Sequence, residues 1–438
     1  MMIAKTRPNA ASEKENSYIW LIFWSAVFFL LLLARDTFSI GINKNIFILI
    51  TCFCAVTMKI PQLVYLFCFL FPLYVGLPGN YMTLILLARI LMNKNSFKAP
   101  TFIASLLVCT FIAAQNLIKG TVGIVQMIYI AGILLVMMLF AVKDQLDPKL
   151  LIILYSAGVA ALGFIMLTAT LKVYDLSDLM SNSFRLGTDN VNYVEKGIMN
   201  VSVDPNFYGM FSIAAISLAI PLTFKSRVKP IIKFSLIGFV IVQIMICLVG
   251  LSRAFILVFI AWLFLYLLSQ RSFKGLFIAT VSMIAVVVLI VTLMPEVLNT
   301  LLARFNDSDM ASGNGRIRLI NEFLGLWSEN ILTVLFGVGF FGCNVHCTPL
   351  QFLFGGGLVL FVLMIVLVAS YQDRKTTKIT LAKALPGIVT FVMMCTVPAA
   401  GLLNFMYPLV IIGLTSRNDN TSLNNRGVSD GQNQTINR

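Results

Sequence analysis

The chain has 438 residues, of which 59% are hydrophobic and only 11% charged, and its formal net charge is +14. A soluble domain carries about 45–50% apolar and about 25% charged residues, so this composition describes a polytopic membrane protein and excludes a soluble multidomain one. The positive charge does not point to nucleic acid, because the basic residues sit mostly in short loops between apolar runs, where topology bias collects them.

A spanning helix needs about 20 apolar residues, with a lower limit near 17. On that measure the sequence predicts spans at 18–34, 40–58, 60–77, 81–93, 100–116, 121–142, 149–170, 204–224, 231–251, 253–269, 275–294, 347–370, 384–399 and 401–415. The short run at 81–93, and the last stretch with its break at Pro398 and Gly401, also fit re-entrant segments. The fold class is therefore an all-α polytopic membrane protein with about 12–14 transmembrane helices. The first apolar run is long for a signal peptide and has no small-residue cleavage site, so it reads as a signal anchor.

With the N-terminus inside, most of the 32 basic residues fall on the cytoplasmic side, in keeping with the positive-inside rule. The organisation that follows is a cytoplasmic tail over 1–17 and an N-terminal bundle over 18–170. An extracytoplasmic loop over 171–203 and a second bundle over 204–294 come next. A second extracytoplasmic loop at 295–346 holds the candidate active site, before C-terminal helices over 347–415 and a disordered cytoplasmic tail over 416–438. The two outer loops carry most of the acids, among them Asp175, Asp189, Glu195, Asp307, Asp309, Glu322 and Glu329.

Asp204-Pro205-Asn206 opens a span as an acidic cap followed by proline, a sufficient structural reason for that triplet. Ser252-Arg253 falls at an outer turn, where the arginine either snorkels toward headgroups or faces inward and binds phosphate. Arg89, near the inner interface, reads as snorkelling.

The stretch from Arg304 to Gly357 is where arginines, acids, glycines and the sole histidine meet. His346 is the one side chain whose ordinary pKa, roughly 6.5, suits proton exchange near neutrality. It could act as general base on a sugar hydroxyl or only hydrogen-bond a phosphate. Asp307-Ser308-Asp309 matches a D-x-D metal pattern but lies in a polar loop where solvated acids are expected, so no metal is assigned. Cys343 and Cys347 flank the histidine without the second half of a zinc site, and a disulfide between them is left open. The other six cysteines lie in apolar runs and act there as small hydrophobes. Gly355-Gly356-Gly357 reads as close helix packing.

If the segment from about 315 to 329 is helical, Ile317, Ile320, Phe323, Leu324 and Trp327 form its apolar stripe. Arg316 then stands at the edge of that stripe, and Arg318 lines up with Glu322 and Glu329 on the wet face.

Taken together these residues resemble the bacterial O-antigen polymerase and O-antigen ligase superfamily, the Wzy-type polymerases among them. The pieces that carry the resemblance are Asp204-Pro205-Asn206, Leu251-Ser252-Arg253, Ser312-Gly313-Asn314-Gly315-Arg316 ahead of Trp327, Phe336-Gly337-Val338-Gly339, and His346 followed by Leu350-Gln351 and Gly357. They cover about 200 to 360. Cys347 and Pro349 depart from the family pattern, which usually has Asn and an aromatic at these places.

The resemblance implies a GT-C-like, metal-independent glycosyltransferase without a cofactor. Its donor and acceptor would be undecaprenyl-diphosphate-linked glycans, and its surroundings membrane lipid, with a chain-length regulator and a flippase as protein partners. His346 and Arg316 are then the catalytic residues. Arg253, Arg304, Arg318 and Arg185, with Asp204 and Asn206, are the substrate-binding ones. Two alternatives stay open: a ligase that passes the glycan to a lipid A core, and a lipid-linked oligosaccharide flippase. Transporters usually show internal repeats and ionisable residues at mid-depth, which this chain lacks.

Overall fold

The computed structural model describes residues 10–93, 100–120, 123–172, 205–224, 228–250, 252–269, 315–370, 380–397 and 406–415, with Thr292 and Asn299 besides. The predicted span at 275–294 apart from Thr292, the loop over 173–204, Arg304, Asp307, Asp309 and the tail after Thr415 lie outside the described residues.

Every element among the described residues is helical. The helices are α1 Ala10–Asp36, α2 Lys44–Thr57, α3 Ile60–Leu70, α4 Gly79–Leu91, α5 Pro100–Ile118, α6 Ile124–Met138, α7 Pro148–Thr170 and α8 Pro205–Thr223. They continue with α9 Pro230–Val249, α10 Arg253–Ser269, α11 Arg316–Ser328, α12 Ile331–Phe336, α13 Thr348–Ser370, α14 Leu381–Met394 and α15 Met406–Thr415. Prolines open α5, α7, α8 and α9, where a missing N–H costs nothing and the fixed φ suits the first helical position.

Five segments are long and apolar enough to cross a membrane alone: Tyr18–Asp36, Pro148–Thr170, Pro205–Thr223, Pro230–Val249 and Thr348–Val366. The chain is thus a helical membrane protein. Seven further apolar helices are shorter. The expected span at 60–77 is one of these: α3 stops at Leu70, and a 3₁₀ turn at Pro72–Val75 follows because Pro72 cannot continue the helical ladder. Likewise the expected span at 121–142 leaves α-helical geometry at Met138 and runs on as a 3₁₀ segment, Leu139–Gln145.

Helix α8 is the hub. It is apolar all round and buried along nearly its whole length, as a helix enclosed by others must be, and it packs on α7, α9, α10, α14 and α15. Gly209 lets it come close: a Cβ there would lie 3.0 Å from Phe255 Cβ, 3.1 Å from Met393 Cε and 3.4 Å from Ser252 Oγ.

Polar contacts sort the helix ends into two faces. On one face Arg35 pairs with Asp36 at 2.6 Å and donates to Gly76 O at 2.6 Å, Thr37 Oγ1 meets Thr168 Oγ1 at 2.8 Å, and Thr83 Oγ1 meets Tyr407 Oη at 3.3 Å. On the other, Arg89 Nε donates to Ala55 O at 3.0 Å and the Asp147 N–H donates to Tyr65 Oη. Each of these contacts joins helix ends that the alternating topology of the sequence places on the same side.

Candidate functional site

Asn206, Arg253, Arg316 and His346, four of the residues singled out by sequence, lie at or beside the starts of α8, α10, α11 and α13. Ser252 caps α10: its Oγ accepts from Phe255 N at 3.3 Å and donates to Asn206 Oδ1 at 3.0 Å, and both Ser252 and Asn206 are buried. This cap fixes Arg253, half-buried, as the first residue of α10 beside the start of α8. The end of α14 packs against the same place through Met393, which touches the site of Gly209.

From α14 the contacts lead to the histidine. Thr348 Oγ1 donates to Val397 O at 2.9 Å and binds the start of α13 to the end of α14. His346, half-buried, stands just before that start with φ at 48°. A non-glycine residue in this left-handed region costs of order 1–3 kcal/mol and persists only where the surroundings impose it. Here they do: Val345 and Cys343 on one side and Cys347 and Thr348 on the other are buried.

Arg316 opens α11, preceded by Gly315 in the left-handed conformation at φ 77°. It is half-buried, whereas Arg318 is exposed. Cys347, one residue ahead of the α13 span, has its thiol pKa drawn below the usual value: the neighbouring Cys395 thiol is the main cause, burial opposes it, and the Arg316 charge assists. The Arg316 charge thus bears on the residue next to His346. Asn206, Arg253, His346 and Arg316 share one end of the bundle around the end of α14. Arg318 lies on the outer side of α11, and Arg304, Arg185 and Asp204 lie outside the described residues. Among the described residues no three His, Cys, Asp or Glu side chains are grouped as metal ligands.

The apolar stripe of α11 is narrower than its sequence suggests. Ile320, Phe323 and Trp327 pack against Cys343, Val345 and Phe354, with Trp327 and Phe354 rings 5.7 Å apart, while Ile317 and Leu324 are 50% and 42% exposed. The three inward residues follow the i, i+3, i+7 spacing of a single contact line, and α11 rests on the bundle along that line only.

The glycine-rich turn after α12 is stitched into the membrane part by two glutamines. Gln115 Nε2 donates to Phe336 O at 2.6 Å and to Gly355 O at 2.8 Å, and its Oε1 accepts from Phe340 N at 3.0 Å. Gln351 Nε2 donates to Phe340 O at 3.1 Å, and Lys119 Nζ donates to Val338 O at 3.0 Å. Helix α13 is broken at Gly357, with φ 72° and ψ 178°, and the carbonyls near the break are taken by the turn: Val338 N donates to Phe354 O at 2.9 Å and Gly339 N to Gly355 O at 3.0 Å. Gly337, at φ 77°, and Gly357 lie against each other's backbone, so that a Cβ on Gly337 would strike Gly355 O and one on Gly357 would strike Leu335 O. The three glycines therefore allow a break in α13 in addition to close packing, and every backbone group the break frees at Phe354 and Gly355 is met by protein, as the bilayer interior requires.

Gln115 and Lys119 are the parts of this site that motif spacing does not reach. The signal for Gln115 is an amide near the end of an apolar run, where a buried polar side chain needs partners.

Comparison with family models, with characterised proteins and with solved structures finds no match to this chain.

Proposed function

We propose that this chain is an integral membrane glycosyltransferase that polymerises undecaprenyl-diphosphate-linked oligosaccharide repeat units into O-antigen, capsular or exopolysaccharide on the outer side of the bacterial cytoplasmic membrane. The observation that supports this reading is that the starts of α8 and α10, with Asn206 and Arg253, and the start of α13, next to His346 and within reach of the Arg316 charge, are each tied to the end of α14 or to one another. The basic bias of the loops supports an outward orientation of that end.

The chemistry suits those side chains. An acceptor hydroxyl attacks the anomeric carbon of the donor glycan, the bond from that carbon to the diphosphate oxygen breaks, and the carrier leaves as undecaprenyl diphosphate. His346 takes the hydroxyl proton, a contribution of about 10²–10⁴ in rate. Arg316 and Arg253 stabilise the charge that develops on the leaving diphosphate, with the forked geometry that suits phosphate oxygens. Arginines supply that charge without a metal, so polymerisation persists in excess chelator. Loss restored by magnesium would transfer the role to Asp307 and Asp309.

One observation favours an enzyme over a flippase. The charged residues buried among the described ones are Arg35 and Asp36, side by side at the end of α1 and not at mid-depth where a transported charge would be met.

The test is a deletion strain carrying the wild type, His346→Ala or His346→Gln at matched membrane levels. The expected result is loss of long chains in both variants, with single repeat units accumulating on the carrier. Accumulation of lipid-linked polymer would identify a ligase, and repeat units trapped on the inner face a flippase. Normal polymer from His346→Gln would remove the base role, since glutamine keeps a hydrogen bond and cannot exchange the proton.

A further inference from the structure

Helix α12 falls in the loop expected over 295–346, yet its last residues lie against the break in α13. A Cβ on Gly357 would strike Leu335 O, and one on Gly337 would strike Gly355 O. At about 1.5 Å of rise per residue, the stretch from Gly357 to Ser370 reaches roughly 20 Å, short of the about 30 Å of a bilayer's hydrocarbon. The membrane boundary therefore lies beyond Gly357, on the side of Thr348. Helix α5 gives the same depth. Its 19 residues reach about 28 Å, just enough to cross, and Phe111 stands roughly 10 Å short of its end at Ile118. The Phe336 ring of α12 stacks on Phe111, with centroids 6.4 Å apart and planes at 18°.

The residues of α12 suit that depth. No Asp, Glu, Lys or Arg occurs from Asn330 to Gln372. Ile331, Leu332 and Phe336 are 68%, 64% and 48% exposed, three of the six side chains of the helix, and water would be a poor medium for them. Leu117 of α5 and Leu358 and Val362 of α13 are exposed too, so both helices beside α12 carry apolar surface outward as it does. Both ends of α12 are closed by protein, as a segment in hydrocarbon needs: Asn330 Oδ1 accepts from Thr333 N at 3.0 Å, and Phe336 O accepts from Gln115 Nε2 at 2.6 Å. Lys119, exposed just past the end of α5, donates to Val338 O at 3.0 Å, at the level where a long cationic side chain reaches for headgroups.

We propose that α12 lies inside the bilayer, in the leaflet on the side of His346, with Ile331, Leu332 and Phe336 against lipid acyl chains. Helix α11 then rests at the interface, with Arg318, Glu322 and Glu329 exposed to water and headgroups. The loop over 295–346 is thus not wholly outside the membrane, and the glycine turn that leads to His346 starts from an anchored segment. That this leaflet is the outer one rests on the orientation proposed above; the insertion itself depends neither on that orientation nor on polymerase activity.

The experiment places the photoreactive residue benzoylphenylalanine at position 332, 362 or 322 of the full chain, in liposomes of phosphatidylethanolamine and phosphatidylglycerol, and reads peptide masses after illumination. Position 362 reports a site on a spanning helix and position 322 the wet face of α11. The expected result is a phospholipid adduct at 332 as at 362, and its loss at 322. A lipid adduct at 362 with none at 332, a link from 332 to a second copy of the chain, or equal lipid adducts at 322 and 332 would each overturn the proposal.

Discussion

Gln115 and Gly355, 240 residues apart in sequence, are joined by a 2.8 Å hydrogen bond from the Gln115 amide to the Gly355 carbonyl. The same carbonyl accepts from Gly339 N at 3.0 Å, so one glutamine on α5 holds together the break in α13 and the glycine turn that leads to His346.

Gln115→Leu removes one acceptor and two donated bonds at once. Phe336 O and Phe340 N lose the partner that Gln115 gives them, and an orphaned buried backbone group costs about 1–3 kcal/mol. The expected outcome is a loss of about 2–4 kcal/mol of stability, read from thermal unfolding in detergent, with new protease cleavage within 337–342. Gln115→Glu keeps the acceptor and loses both donors, and should be nearly as damaging. Unchanged cleavage in Gln115→Leu would mean that the turn is held by α13 alone.

The two glycine types in this region separate backbone need from helix propensity. Gly357 has φ 72° and its Cβ would strike Leu335 O, so Gly357→Ala meets both a forbidden conformation and a clash. Its expected cost exceeds about 3 kcal/mol, or the protein fails to accumulate in the membrane. Gly325 lies exposed within α11 with open space around it, and Gly325→Ala should gain up to about 1 kcal/mol of helix stability. Relative abundance and melting of the two variants check the contrast; a mild Gly357→Ala would show that the break in α13 can close.

Much of the scaffold was legible because its signals are local. Pro148, Pro205 and Pro230 mark helix starts by removing a donor that a first turn does not use, and α11 begins at Arg316 as the glycine before it suggests. What was not legible depends on distant partners. The run Gly355 to Gly357 reads as packing from sequence, since only the presence of Val338 and Gly339 beside it allows the helix to open there. Ile317 and Leu324 belong to an apolar stripe by period, but the stripe meets a contact line too narrow to cover them. Of the candidate site, the residue types were legible and their distances from one another were not.

Ser252 offers a test of the Arg253 half of the site. Its hydroxyl serves α10 as a cap and Asn206 as a donor, and Ser252→Ala loses both, an expected cost of about 1–2 kcal/mol. If Arg253 acts on the leaving diphosphate, this variant should lower polymer yield by more than its lost stability explains, because the first turn of α10 is no longer fixed against α8. Ser252→Thr keeps the cap and the donor and should recover yield. Equal yields from the alanine variant and the wild type, at equal membrane levels, would detach Arg253 from the reaction.

The last prediction separates Arg316 from Arg318. Two residues apart on α11 they point about 200° away from each other, so one pocket does not receive both. The fold makes the choice: Arg316 is half-buried and its charge reaches Cys347, next to His346, while Arg318 is exposed. Arg318 falls four residues before Glu322, and an exposed pair at that spacing is worth only about 0.3–0.5 kcal/mol, so its loss is mild in stability as well. Arg316 also stands in the first turn of α11, where unpaired backbone N–H groups help to hold an anion. Lysine keeps the charge and loses the fork that grips two phosphate oxygens. Arg316→Lys is therefore expected to cut polymer yield at least about tenfold, the effect of losing roughly 1.4 kcal/mol of transition-state stabilisation, while Arg318→Lys stays near the wild type. Chain length and yield from the two variants at matched membrane levels decide it. Equal defects, or a larger one at Arg318, would mean that the diphosphate is bound on the outer face of α11 and not at the turn that carries His346.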